Sequence, residues 1–262
     1  MSLGIIVKGP SGLVVAADSR ITLTAQPPAG VAYVVQFDNA SKLLRFNAPH
    51  NFVAAVTYGQ ALIPGLERTA ESFLPELQAA LPTTRVSVGT FAQQLSAFFV
   101  SQWGAAMERY GGDAMRFIVG GFDDGAPYGS VFQFAIPIAP TPVELYAGQF
   151  ATVWGGQTEI VQRIWLGYQD GLPTRLQQTV GLTDAQRLQI EQALVQEGLA
   201  IPIGIMALQD CVNLAETLIR TTIAMQQLSM VLRGVGGPID IVTITRTEGV
   251  KPVRLKEVSA RE

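Results

Sequence analysis

One cysteine, Cys211, and one histidine, His50, occur among the 262 residues. A single cysteine excludes an internal disulfide framework and any multi-cysteine metal site. The lone histidine has no Cys, His or acidic cluster beside it. It reads as a solvated loop residue ahead of an apolar run, not as a metal ligand or catalytic base. Charge is scarce as well: Asp, Glu, Lys and Arg make up 15% of the chain and sum to −3. Nothing therefore favours nucleic acid or an anionic membrane surface as a partner. Long hydrophobic runs are missing. Gly4 to Ala17 is too short to span a bilayer and is broken by Pro10, and no secretory signal is present, so a cytoplasmic protein with no membrane attachment is expected.

Apolar side chains are plentiful, at 48% of residues with a mean hydropathy of +0.28. That suffices for one large core and leaves apolar surface for other subunits to cover. No composition break divides the chain, so a single domain over residues 1–262 is expected.

The first twenty residues carry the chemistry. Ser2 to Lys8 (SLGIIVK) and Leu13 to Ser19 (LVVAADS) are apolar, β-branched runs around Gly9-Pro10-Ser11-Gly12, a strand, turn, strand pattern. Pro10 suits the first position of a type I turn, and a left-handed Gly12 would close a three-residue loop with a bulge. That register pairs Gly9 with Leu13, Gly4 with Asp18 and Ser2 with Arg20, so Ser2 and Asp18 share a face. Removal of Met1 would leave Ser2 with a free α-amine. Such an amine titrates at about 7.7–8.0, where a general base for its own hydroxyl is useful.

Further along, Ile21 to Val31 is a polar, Pro/Gly-bearing excursion before a strand at Ala32 to Phe37. Lys42 opens a strand ending at Phe46, and Phe52 to Tyr58 is a buried strand closed by Gly59. Leu62, Leu66, Ala70, Phe73, Leu74 and Leu77 recur at helical spacing, with Pro75 expected to kink or end the helix. Phe91, Leu95, Phe98, Phe99, Trp103 and Met107 predict a second helix closed by Gly111-Gly112. Met115 to Phe122, Ser130 to Ile136 and Val143 to Ala147 read as three strands, with Asp123 and Asp124 in a solvated turn. An insertion from Gly167 to Pro202 (the 167–203 region) contains a helix capped by Thr183 with Gln186 three residues on. Ile205 to Met230 is an amphipathic helix with Leu208, Val212, Ala215, Ile219, Thr222 and Met225 on one face, and Cys211 as a core thiol.

SLGIIVKGPSGLVVAADSRIT resembles the start of a proteasome β-type subunit, with the spacing from Ser2 to Asp18 kept without a gap. Arg233-Gly234-Val235-Gly236-Gly237-Pro238-Ile239-Asp240-Ile241 is similar to that family's glycine-rich approach to its last strand. The chain looks like a divergent bacterial or archaeal-type member. The resemblance implies an α+β, four-layer αββα sandwich of two antiparallel sheets between helical layers, N-terminal nucleophile hydrolysis of peptide or protein substrates, and assembly into homo-oligomeric rings. It calls for no cofactor and no metal, and the absence of a helical N-terminal extension argues against the family's gate subunits. In it Ser2 is the nucleophile, Lys42 lowers the pKa at the nucleophile and Asp18 holds Lys42. Lys8 is a reserve cation. A backbone N–H at Gly59, at a strand-to-helix step, serves the oxyanion. The pattern departs in three places. Trp154-Gly155-Gly156-Gln157 stands where active members carry Gly-Ser-Gly, leaving Gln157 or Thr158 to substitute, and Leu232 and Val235 replace an aspartate and a serine. These losses support an alternative: a catalytically weak or inactive, ring-building subunit.

Overall fold

Leu3–Gly9 (β1) and Gly12–Asp18 (β2) form a hairpin in the computed structural model, which describes residues 2–25 and 30–257. Every residue of both strands is buried, which is why they read as continuous apolar runs. The register differs by one residue from the expected one. Gly9 pairs with Gly12, Lys8 with Leu13 and Gly4 with Ala17, around a turn of only Pro10 and Ser11. Gly12, at φ 159°, is extended rather than left-handed, and glycine is required there because a Cβ would lie 2.7 Å from the Ile244 carbonyl oxygen. Alternation along the hairpin puts Ile6, Val15 and Ala17 on one face and Ile5, Val14 and Ala16 on the other.

The chain continues through β3 (Ile21–Ala25) and β4 (Tyr33–Phe37), which pair only with each other, to β5 (Leu43–Arg45) and β6 (Val53–Gly59). The helix expected from Leu62 does not form there. Pro64 and Gly65 break it, with Gly65 and Glu67 at positive φ, and the segment makes two short strands, β7 (Leu62–Ile63) and β8 (Arg68–Thr69). Helix α1 (Leu74–Ala80) follows a 3₁₀ turn at Glu71–Phe73, and Pro75 sits in its first turn, where a missing N–H costs nothing. Helix α2 (Val88–Trp103) stops at Gly104, earlier than the expected Gly111-Gly112, and α3 (Ala106–Arg109) is separate. The Ser87 side chain accepts from the Thr90 N–H at the start of α2. Asp123 accepts the Val88 N–H at 2.6 Å, so this turn aspartate also serves as a cap.

Strands β9 (Met115–Gly121) and β10 (Ser130–Ile136) lie where expected, and β11 (Ala139–Leu145) starts earlier than Val143. After β12 (Ala151–Gly156) come α4 (Glu159–Leu166), α5 (Leu172–Val180) and α6 (Asp184–Leu194), the last two inside the insertion. Thr183 and Gln186 form the expected capping box. Helix α7 (Leu208–Leu228) leads to β13 (Ile239–Thr245) and β14 (Gly249–Arg254).

The described residues thus form a mixed α/β structure with two five-stranded antiparallel sheets, ordered β12-β1-β2-β13-β14 and β11-β10-β9-β6-β5. Ile6, Val15 and Ala17 of the first sheet pack with Ala54, Val56 and Ile118 of the second. The other face of the first sheet packs on α4 and α7 through Ile5, Val14, Val161, Ala215 and Ile219. Phe91, Leu95 and Phe99 of α2 cover Phe117 and Phe134 of the second sheet. His50, expected to be solvated, is buried. Its ring lies 5.4 Å from Phe91, and its Nε2–H donates to the Pro82 carbonyl at 2.8 Å, so the pairing keeps it inside.

Candidate active site

Asp18 ends β2, the strand flanked by β1 and β13, and is fully buried. A carboxylate there is stable only if its oxygens are filled. Oδ1 accepts the Leu3 N–H at 2.9 Å and the Lys42 ammonium at 2.7 Å; Oδ2 accepts the N–H groups of Arg20 at 3.1 Å and Gly236 at 3.0 Å. Leu3 N belongs to the peptide that follows Ser2. Asp18 therefore reaches the N-terminal strand through its backbone. The expected Gly4–Asp18 pairing is replaced by Gly4–Ala17, and the contact between Asp18 and the segment after Ser2 is the Leu3 N–H.

Lys42 lies just ahead of β5 and is itself buried. Burial holds its ammonium below the usual lysine range against the pull of Asp18, and the nearby cations Lys256 and Arg20 push the same way. Lys8, the reserve cation, sits six residues along β1 from Ser2, about 20 Å at roughly 3.3 Å per residue. Its ammonium donates to the Tyr146 carbonyl at 3.0 Å.

Gly59 ends β6 at φ 81°, and a Cβ there would lie 2.2 Å from the Ala114 carbonyl oxygen, so only glycine fits. No helix begins at Gly59, however. The next helical turn starts at Glu71, so a helix N-terminus is not available to an oxyanion here. Gly59 and Lys42 do line one small pocket, of about 20 Å³, together with Ile21, Ser41, Thr57 and Gln60. The Thr57 hydroxyl is buried beside it and has no hydrogen-bond partner among the described residues.

Ser2 is 5% exposed, and its carbonyl accepts the Gln157 N–H at 2.8 Å. The glycines before Gln157 make that approach possible. A Cβ on Gly156, at φ 105°, would fall 1.8 Å from the Ser2 carbonyl oxygen, and one on Gly155 would fall 2.1 Å from the Tyr58 ring. Gln157, one of the two expected substitutes for the missing serine, is thus joined to Ser2 through the backbone.

Three sets of residues near the site were not anticipated. Gln226, on the buried face of α7, donates from Nε2 to Gln157 Oε1 at 2.8 Å and accepts the Val235 N–H at 3.0 Å. Its signal was a polar residue extending the stripe Ala215, Ile219, Thr222; Met225, placed on that face by the sequence, is exposed. Lys256 pairs with Asp240 and donates to Ser19 Oγ at 3.1 Å, next to Asp18. Arg20 turns to Asp38, at 2.5 and 2.7 Å, and to the Arg233 carbonyl. Among the described residues no group of three or more His, Cys, Asp or Glu is placed to hold a metal ion, and no helix is long and apolar enough to cross a membrane.

No family model matches the chain, and neither does any curated protein. Its fold is similar to that of Anbu from Hyphomicrobium sp. strain MC1, solved as a Gly-1 mutant: the TM-score is 0.59 at 17% identity, covering 100% of this chain and 89% of Anbu. At that identity the likeness is one of fold alone.

Proposed function

We propose that the chain is an N-terminal serine hydrolase of proteasome β-subunit type that cleaves peptide or other amide bonds. The observation that carries the reading is the buried Asp18–Lys42 pair bonded to the backbone N–H directly after Ser2. Once Met1, which lies outside the described residues, is removed, the Ser2 α-amine takes the proton of its own hydroxyl as Oγ attacks the scissile carbonyl. Lys42 disfavours protonation of that amine and favours the developing alkoxide, while Asp18 fixes Lys42. A backbone N–H beside Gly59 receives the oxyanion. Collapse of the tetrahedral intermediate breaks the C–N bond, and the α-ammonium returns its proton to the leaving amine. Water, deprotonated by the same amine, then hydrolyses the Ser2 ester. Serine lacks the β-methyl that restricts χ1, so this nucleophile is less preorganised than a threonine.

The wider architecture follows the same reading: a single domain, with the facing sheets and their outer helices forming a four-layer αββα sandwich, in a cytoplasmic homo-oligomer. A second reading, a ring-building subunit with little or no activity, rests on Val235, an apolar side chain buried where the resembling enzymes carry a serine.

Intact mass before and after treatment with a hydroxyl-directed β-lactone tests the choice, with Ser2→Ala as control. A chain lacking Met1 that gains one adduct, absent in Ser2→Ala, is the expected result. A chain that keeps Met1, or that loses it and stays unlabelled, overturns the catalytic reading and favours the structural one.

A further inference from the structure

The hydrogen bonds around Ser2 form a closed circuit. Ser2 C=O accepts from Gln157 N–H, Gln157 Oε1 from Gln226 Nε2, and Gln226 Oε1 from Val235 N–H. The next residue, Gly236, gives its N–H to Asp18, and Asp18 accepts from Leu3 N–H, one peptide from the start. Four other stretches of the chain, at Asp18, Gln157, Gln226 and Val235–Gly236, are thereby tied to the Ser2–Leu3 segment. Gln226 is the member that spans it from α7, and it is only 4% exposed. A buried carboxamide must be satisfied on both its donor and its acceptor side, and here one partner holds the strand beside Ser2 while the other holds the loop beside Asp18.

We infer that the Gln157–Gln226 amide pair positions Ser2 for attack, in the place where the resembling enzymes use hydroxyl and carboxylate groups. The inference rests on the serine-nucleophile reading. The pair is uncharged, so it orients the N-terminal residue without adding a carboxylate that would hold the α-amine protonated. Gln226 is a positioning residue: it acts on the reacting atoms through Gln157 and the Ser2 carbonyl.

Two measurements on Gln226→Leu, with the length-matched Gln226→Met as second variant, test the pair. In lactone labelling of Ser2, the expected result is a maximal rate lower by on the order of tenfold with the half-saturating lactone concentration little changed, since a misaligned nucleophile loses rate and not binding. Losing the Gln226 partner of the Val235 N–H and of Gln157 Oε1 lowers the melting temperature by a few degrees without unfolding the protein. In amide hydrogen exchange, the Gln157 N–H that bonds to Ser2 is expected to exchange faster while core strand amides keep their protection. Labelling at the wild-type rate with unchanged Gln157 exchange would overturn the inference. A wild-type protein that takes no label would remove the serine reading alone, and exchange at Gln157 would then decide the positioning by itself: faster exchange in the variants supports it, unchanged exchange overturns it.

Discussion

Lys42 and Asp18 each need the other to be tolerable inside the protein. Replacing Lys42 with methionine leaves Asp18 buried with backbone donors only, and removing one partner of such a pair costs about 3–5 kcal/mol. Urea denaturation should show that loss for Lys42→Met, while loss of lactone labelling would register its separate chemical role. The pH dependence has a definite sign. Because the folded lysine titrates below its ordinary value of 10.5, the unfolded chain binds more protons between the two values, so stability rises with pH across that window. Wild type should therefore gain stability relative to Lys42→Met as pH climbs toward 10.5; parallel curves would refute the lowered value. At this scale the sequence was partly legible. Asp18 and Lys42 stood at recognisable positions and meet in the structure. The expected route from Ser2 to Asp18 was wrong because Gly9-Pro10-Ser11-Gly12 is compatible with more than one turn. The need for glycine at position 12 comes from the Ile244 carbonyl of β13, a neighbour no local reading contains.

Among the elements, those with a sustained period or a clear cap were readable, and the segment from Leu62 to Thr69 was not. Helices α2 and α7 each repeat their apolar residues over several turns, whereas the apparent repeat from Leu62 to Leu77 spans Pro64 and Gly65, which no i to i−4 ladder survives. Even α7 was read one position out at its end, where buried Gln226 takes the place given to Met225. Hydrophobicity alone ranks methionine inside and glutamine outside; two well-placed partners reverse that order. The core position of Cys211 on α7 leads to a simple check. Burial raises its thiol pKa, so in the native protein it should resist a thiol reagent at pH 8 and react only as the helix comes away on unfolding. Rapid stoichiometric reaction without unfolding would contradict the packing of α7 on β1 and β2.

Across the whole molecule, apolar runs and turns gave separate strands, a hairpin and helices, and the antiparallel sheets between helical layers came from the resemblance, because sheet order and the facing of the sheets depend on pairings between remote segments. Apolar surface remains uncovered: Val31, Tyr33 and Phe37 at β4, and Leu228, Met230 and Val231 after α7, are all exposed. Gln36 and Arg20 both donate to the Arg233 carbonyl, which joins the two groups into one region. A surface of this kind fits the proposed homo-oligomer. Light scattering at micromolar concentration should give a mass of several chains, and a strictly monomeric species would remove the assembly reading.

Asp18 draws one of its four donors from Gly236, 218 positions later, and β2 lies against β13 across the intervening chain. During synthesis the ribosome makes Ser2, Asp18 and Lys42 early and the residues that clamp them late. A growing polypeptide therefore leaves the Asp18 carboxylate short of one of its four donors until residues near 236 have emerged and folded back. On the proposed reading, the order of manufacture itself acts as a safeguard, because the proposed site is completed last.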